Sequence, residues 1–139
     1  MFKLIWRLAR DKSAQSIVEL AVALPVLMVI LCGILDFGWF FTNQLTISYL
    51  SREGARYGIV HATDLNAVSL ISERVLSVAP YYIQSQMTVD SQFSDQADPR
   101  SGDITVNISC NVAALTPLTG IFVHGSTVIL NSKCVMKVE

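Results

Sequence analysis

One apolar stretch constrains this chain more than any other feature. Residues 17–35 form a run of nineteen residues in which Glu19 is the only charged side chain. As an α-helix, a stretch of this length spans roughly 28 Å, which is close to the thickness of the hydrocarbon core of a bilayer. We therefore predict a membrane-spanning helix near the N-terminus.

The charge distribution predicts how this helix is oriented. The first twelve residues carry four basic side chains and one acidic side chain, whereas the 139-residue chain as a whole has a net charge of −1. Because positively charged flanks stay in the cytoplasm, we expect the N-terminus inside and the C-terminal part outside the inner membrane. No basic patch follows this leader, so nucleic acid is not an expected partner.

The order of features at the start of the apolar run differs from that of a secretory signal. The small residues Ser13 and Ala14 precede the run, and Glu19 lies one turn inside it. A secretory signal peptide has its small-residue cleavage site after the apolar region. The pattern of a small residue, four further residues and a glutamate before a long apolar helix resembles the class III signal that prepilin peptidases process.

The segment from Ser13 to about Val60 resembles the TadE-like family, minor pilins (pseudopilins) of the tight-adherence (Tad, Flp, type IVc) pilus system. Besides the N-terminal helix, a short motif carries this resemblance: Arg52, Glu53, Gly54, Ala55 and Arg56. The resemblance implies assembly or initiation of a pilus through the N-terminal helix. The implied partners are a prepilin peptidase, other major and minor pilins, the Tad inner-membrane assembly platform and the lipid bilayer.

The resemblance also implies roles for individual residues. Cleavage would fall between Ala14 and Gln15, and Glu19 would neutralise the new N-terminal amine of an adjacent subunit. The chain would then consist of a basic leader (1–14), a transmembrane and extended helix (15–60) and an exported domain (61–139). The size of that domain favours a minor pilin, because the major Flp pilins are very short.

Several of these features have a second interpretation. Glu19 could simply be favoured by the dipole at the helix N-terminus. Pro25 removes a backbone donor and predicts a helix kink, either for bending into a filament or as a packing accommodation.

Glu53 and Arg56 are one turn apart and could pair. Gly54 and Gly58 permit close approach of another backbone, either in the same subunit or in a neighbouring helix.

Two other functions remain open. The first is an unprocessed bitopic inner-membrane protein with a periplasmic binding or sensing domain. The second is a pseudopilin of a type II-like secretion system. Such pseudopilins share the processing signal and the glutamate but lack the motif at residues 52–56.

The exported part predicts a second helix after the long one. Thr63 or Asp64 is a suitable N-cap, and Pro80 ends the segment. Its apolar stripe consists of Leu65, Val68, Ile71, Val75 and Val78.

Alternating apolar and polar residues then predict strands at 87–93, 104–112 and 128–138. The expected fold is α+β and pilin-like. A long N-terminal transmembrane helix continues into a small domain, in which a second helix packs on an antiparallel sheet.

The cysteines of the exported part predict a disulfide. Cys110 and Cys134 both lie on the apolar phase of their strands, and an oxidising compartment would permit a Cys110–Cys134 bond. The alternative is a pair of buried free cysteines.

No catalytic motif is present in the sequence. His61 and His124 stand alone, without the paired spacings of a zinc site, and no nucleophile motif or phosphate-binding glycine loop occurs. We expect a protein that is not an enzyme and that has no cofactor.

Overall fold

The computed structural model describes residues 12–95, 100, 102–117 and 127–138, with side chains from residue 15 onward. The predicted leader, residues 1–14, lies outside this part except for its last three backbone positions. Three helices and three strands are described, and their order is α1 (Lys12–Val60), α2 (Ala67–Val78), α3 (Tyr81–Gln84), β1 (Met87–Phe93), β2 (Asp103–Ala113) and β3 (Thr127–Lys137).

The long helix α1 has two halves of different character. Its N-terminal half is apolar on all sides, whereas residues 43–58 bury one face against the domain. The buried positions recur every three or four residues, as expected for an amphipathic helix. They are Asn43, Ile47, Leu50, Ser51, Gly54, Ala55 and Gly58. The predicted helix from the apolar run into the domain is therefore confirmed.

Helix α2 lies antiparallel to the second half of α1 and begins later than predicted. Its N-cap is Asn66, which makes no side-chain capping bond, so the prediction of Thr63 or Asp64 as N-cap is wrong. Leu65 lies in the turn before α2 and is fully exposed. A backbone hydrogen bond from Ala67 N to Asp64 O closes this turn, which delays the start of the helix. The side chains of α2 that enter the core are Ala67, Ile71 and Val75.

The three strands form one antiparallel sheet in the order β1-β2-β3. The central strand β2 alternates strictly, and every second side chain is buried from Ile104 to Val112. This face of the sheet packs against α1 and α2, and the other face is mostly polar. The predicted α+β fold, with helices on one face of an antiparallel sheet, is confirmed.

Glycines bring α1 close to the sheet and to α2. A Cβ atom on Gly54 would lie 2.7 Å from Val75 Cγ2, and one on Gly58 would overlap Ile104 Cδ1 and lie 2.8 Å from Ile71 Cδ1. Of the two alternatives left open by the sequence, these glycines serve packing within the same subunit.

The strand register contradicts the predicted disulfide. Cys110 lies opposite Leu130, and Cys134 lies opposite Val106. The two cysteines share a face of the sheet but are offset by four residues, or roughly 13 Å along the strands. Because a disulfide requires Cα atoms within about 7 Å, the bond cannot form in this register. Both cysteines are free.

Candidate assembly helix and its junction with the domain

The N-terminal half of α1 extends from the domain without packing on it. The large apolar side chains from Ile17 to Leu31 are between 45% and 68% exposed. The most apolar window of the helix has no residue buried within the described part of the chain. Burying one such side chain is worth roughly 1.5–3 kcal/mol, so covering this surface with a bilayer or with other apolar helices would be favourable. The helix is long and apolar enough to span a membrane.

Glu19 lies on this exposed surface. Gln15, one turn earlier, donates a hydrogen bond from Nε2 to Glu19 Oε1 at 3.2 Å. Val18, Val22 and Ala23 lie beside Glu19 on the helix surface and have apolar side chains. An ionised carboxylate has about four acceptor positions, so this one bond leaves most of its capacity for a further donor.

Pro25 lies inside α1, and the helix continues on both sides of it. Pro25 therefore does not end the helix, and the kink stays a prediction.

The motif at residues 52–56 is divided between the domain interface and the surface. Gly54 and Ala55 are buried against the domain, whereas Arg52 and Arg56 are exposed. Glu53 forms an ion pair with Arg74 of α2 at 3.2 Å, so the interpretation that Glu53 pairs with Arg56 is wrong. The motif thus contributes to holding α1 on α2 and β2.

The contact between Glu53 and Arg74 belongs to a small cluster at the end of α1 that is remote from the apolar half. The Arg74 guanidinium lies 5.9 Å from the centre of the Tyr57 ring. The His61 ring stacks on Tyr57 at 4.0 Å, and His61 Nδ1 lies 3.0 Å from the carbonyl oxygen of Tyr57. Each ring or charged group has a partner within the subunit, so the cluster fastens the two helices together.

Asp36 forms a junction that was not predicted from the sequence. Its side chain is only 2% exposed, although it comes directly after the apolar run. Oδ1 accepts hydrogen bonds from the backbone N–H groups of Leu115 (3.0 Å) and Thr116 (2.9 Å), and Oδ2 accepts one from the Thr116 hydroxyl. The loop that follows β2 is thereby attached to α1 at the end of the apolar segment.

Trp39 extends this junction by one helical turn. Its Nε1 donates to the carbonyl oxygen of Ala113 at 3.1 Å, and its ring lies 5.4 Å from that of Tyr82 in α3. From sequence, Asp36 marks only the end of the apolar run, and Trp39 is an aromatic residue that suits a membrane interface. An acidic residue directly after an apolar run, followed by a tryptophan, was the one available signal for a buried junction.

Further polar contacts attach α1 to the sheet beyond this junction. Gln44 Nε2 donates to the carbonyl oxygen of Asn131 at 3.0 Å, and the hydroxyls of Ser51 and Ser132 lie 2.9 Å apart. From Asp36 to Gly58, α1 therefore runs along the whole length of the sheet. The domain begins at the residue where the apolar segment ends.

Cys110 does not have the environment of a reactive thiol. Cys110 is buried, and this burial raises the pKa of its thiol above the ordinary value of 9.0. A neutral thiol is a poor nucleophile and a poor metal ligand. Within the described residues, no group of three or more His, Cys, Asp or Glu side chains is placed to hold a metal ion.

Comparison with known families supports the resemblance noted in the sequence. A family model described as TadE-like protein matches residues 14–56, and the resemblance is confirmed over these residues. The match covers Glu19, Pro25, Asp36 and the motif at 52–56, and it ends four residues before the end of α1. Searches of curated proteins and of solved structures found no match.

Proposed function

We propose that this chain, whose residues 14–56 are TadE-like, is a minor pilin (pseudopilin) needed for assembly or initiation of a Tad (type IVc) pilus. One observation carries the proposal. The TadE-like segment includes a helical half that projects from the domain, is apolar on all sides and carries a single carboxylate near its start. Such a helix has the properties of an element that moves from a bilayer into contact with other helices.

Processing fits this geometry. Cleavage by a prepilin peptidase between Ala14 and Gln15 would create an amine one helical turn before Glu19. The carboxylate has unused acceptor capacity, since the described residues supply one neutral amide donor. A carboxylate in an apolar environment is costly without a partner, so the amine of an adjacent subunit would lower the free energy of the assembled state. Glu19 is thus the assembly residue in this proposal.

The remaining parts of the proposal concern location and partners. The protein resides in the bacterial inner membrane with its N-terminus cytoplasmic and its domain periplasmic, and enters a surface pilus on assembly. Its partners are the prepilin peptidase, major and minor pilins and the Tad assembly platform. It acts as a structural subunit, without enzymatic activity or a cofactor.

The first experiment determines the N-terminus of the protein purified from its native membranes. Intact mass and N-terminal sequencing are compared between cells with and without an active prepilin peptidase. The proposal predicts a mature start at Gln15 only when the peptidase is active. An intact leader in both strains would contradict it and support an unprocessed bitopic protein.

The second experiment tests Glu19. Glu19→Gln removes the charge with little change in shape, and Glu73→Gln is the matched control because it alters an exposed carboxylate outside the apolar segment. We expect both variants to insert into the membrane, and only Glu19→Gln to impair surface fibres. Normal fibres with Glu19→Gln would refute the assembly role. Loss of type II-like secretion with unchanged Tad fibres on deletion of the whole chain would favour the other pseudopilin class.

A further inference from the structure

The end of the domain that faces the apolar half of α1 carries an exposed apolar surface. We call this surface the base and define it by Tyr81, Tyr82 and Leu115, which are 89%, 45% and 60% exposed. Exposed apolar patches of this kind mark interaction sites with proteins or membranes. The structure fixes the position of the base because Leu115 and Tyr82 both contact α1.

The base lies beside the part of α1 that directly follows the apolar segment. The backbone N–H of Leu115 donates to Asp36, the first residue after the apolar run. Tyr82 packs against Trp39, four residues beyond Leu35. Four helical residues correspond to about 6 Å. The interfacial layer on each side of a bilayer is roughly 5–8 Å thick, so a membrane that encloses residues 17–35 would place the base within its headgroup region.

The charge pattern of the chain agrees with this position. Lys, Arg, Asp and Glu are absent from residues 37–51, 75–89 and 104–132. Tyr81, Tyr82 and Leu115 all lie within these uncharged segments, and Asp36, the charged residue directly before the first of them, is buried. An uncharged surface rich in tyrosine, with a tryptophan behind it, suits the interface between lipid headgroups and acyl chains.

We propose that the base of the domain rests in the headgroup region of the bilayer through Tyr81, Tyr82 and Leu115, which fixes the domain upright on the membrane before assembly. This inference rests on the membrane span of the proposed function but not on processing or pilus assembly. The bilayer is favoured over a second protein because the base is continuous with the exposed apolar surface of α1. The attraction is apolar, so it requires no anionic lipid.

Site-specific photocrosslinking of the full chain in lipid vesicles tests this inference. p-Benzoylphenylalanine is placed at Tyr81 or at Leu115, positions whose exposure allows the substitution without loss of folding. Leu65, which is fully exposed in the turn at the opposite end of the domain, is the negative control. Leu31, within the apolar segment, is the positive control. Adducts are identified by intact mass in vesicles of phosphatidylcholine, with and without phosphatidylglycerol.

We expect lipid adducts at positions 31, 81 and 115 and no lipid adducts at position 65. The adduct yields should be equal in both kinds of vesicle. Lipid adducts at position 31 together with protein adducts, or no adducts, at positions 81 and 115 would overturn the inference and leave the membrane span intact. Adducts that require phosphatidylglycerol would also overturn it. Absence of lipid adducts at position 31 would instead refute the membrane span itself.

Discussion

Asp36 accepts two hydrogen bonds from Thr116, one from the backbone N–H to Oδ1 at 2.9 Å and one from the side-chain hydroxyl to Oδ2. The two residues are separated by 80 positions in sequence, and their contact joins the end of the apolar segment to the loop after the central strand. This relationship is one of the contacts that fix where the domain sits on the helix. It therefore places the domain directly after the apolar half of α1 and supports the position of the base.

We expect Asp36→Ala to destabilise the domain by about 1–3 kcal/mol, because the hydrogen bonds that the Asp36 carboxylate accepts from Leu115 and Thr116 are lost. Urea unfolding of the full chain in detergent, followed by tryptophan fluorescence, measures the change. Asp90→Ala is the control, since Asp90 is exposed and its effect should stay within about 0.5 kcal/mol. Equal stability of the two variants would show that the junction contributes nothing.

Gly58→Ala should also be destabilising, by about 1–3 kcal/mol, because the added methyl group overlaps Ile104 and approaches Ile71. Gly38→Ala provides the matched control on the same helix. A Cβ atom at Gly38 meets no atom within 4 Å, and alanine favours the helix by up to about 1 kcal/mol. Gly58→Ala should therefore lower the unfolding temperature, whereas Gly38→Ala should raise it or leave it unchanged. A neutral Gly58→Ala variant would contradict the close packing of α1 on β2.

A double-mutant cycle distinguishes the two partners considered for Glu53. Replacing Glu53 and Arg74 with glutamine, singly and together, should reveal a coupling energy of up to about 1 kcal/mol that decreases with salt. The same cycle with Glu53 and Arg56 should give no coupling. Coupling to Arg56 in place of Arg74 would contradict the observed ion pair.

The cysteines should remain unbonded in the folded protein. Intact mass under non-reducing conditions should match that of the reduced chain, and a thiol reagent should modify Cys110 only after unfolding, because it is buried. A mass lower by two hydrogens without reductant, traced to Cys110 and Cys134, would contradict the strand register.

Burial of Cys110 also predicts the direction of a pH effect. Its pKa is raised in the folded state, so the folded protein retains the thiol proton where the unfolded chain has lost it. The contribution of Cys110 to stability is complete below the unfolded pKa and decreases as the pH rises through the folded value. Cys110→Ala should remove this part of the alkaline loss, which unfolding measurements across the alkaline range would detect.

Apart from the four-residue helix α3, the elements of the fold could be predicted from sequence because each has a local periodicity. The uninterrupted apolar run predicted the first half of α1, and alternation from Ile104 to Val112 predicted β2. The start of α2 was misplaced because two residues with good capping chemistry, Thr63 and Asp64, lie in a turn closed by backbone hydrogen bonds. Capping propensity is a local signal, and the turn geometry at the end of α1 outweighed it.

The sequence alone determined one long apolar helix, an α+β domain after it, and the single carboxylate within the apolar run. Tertiary structure alone decided the hydrogen-bond partners of Asp36 and the ion-pair partner of Glu53. It also decided that Cys110 and Cys134 lie too far apart to form a disulfide. The physical reason is that periodicity assigns a residue to one face of its helix or strand, but it does not specify which residue of the neighbouring helix or strand lies opposite. The offset between β2 and β3, and the position of α1 along the sheet, result from many packing contacts between segments that are distant in the chain.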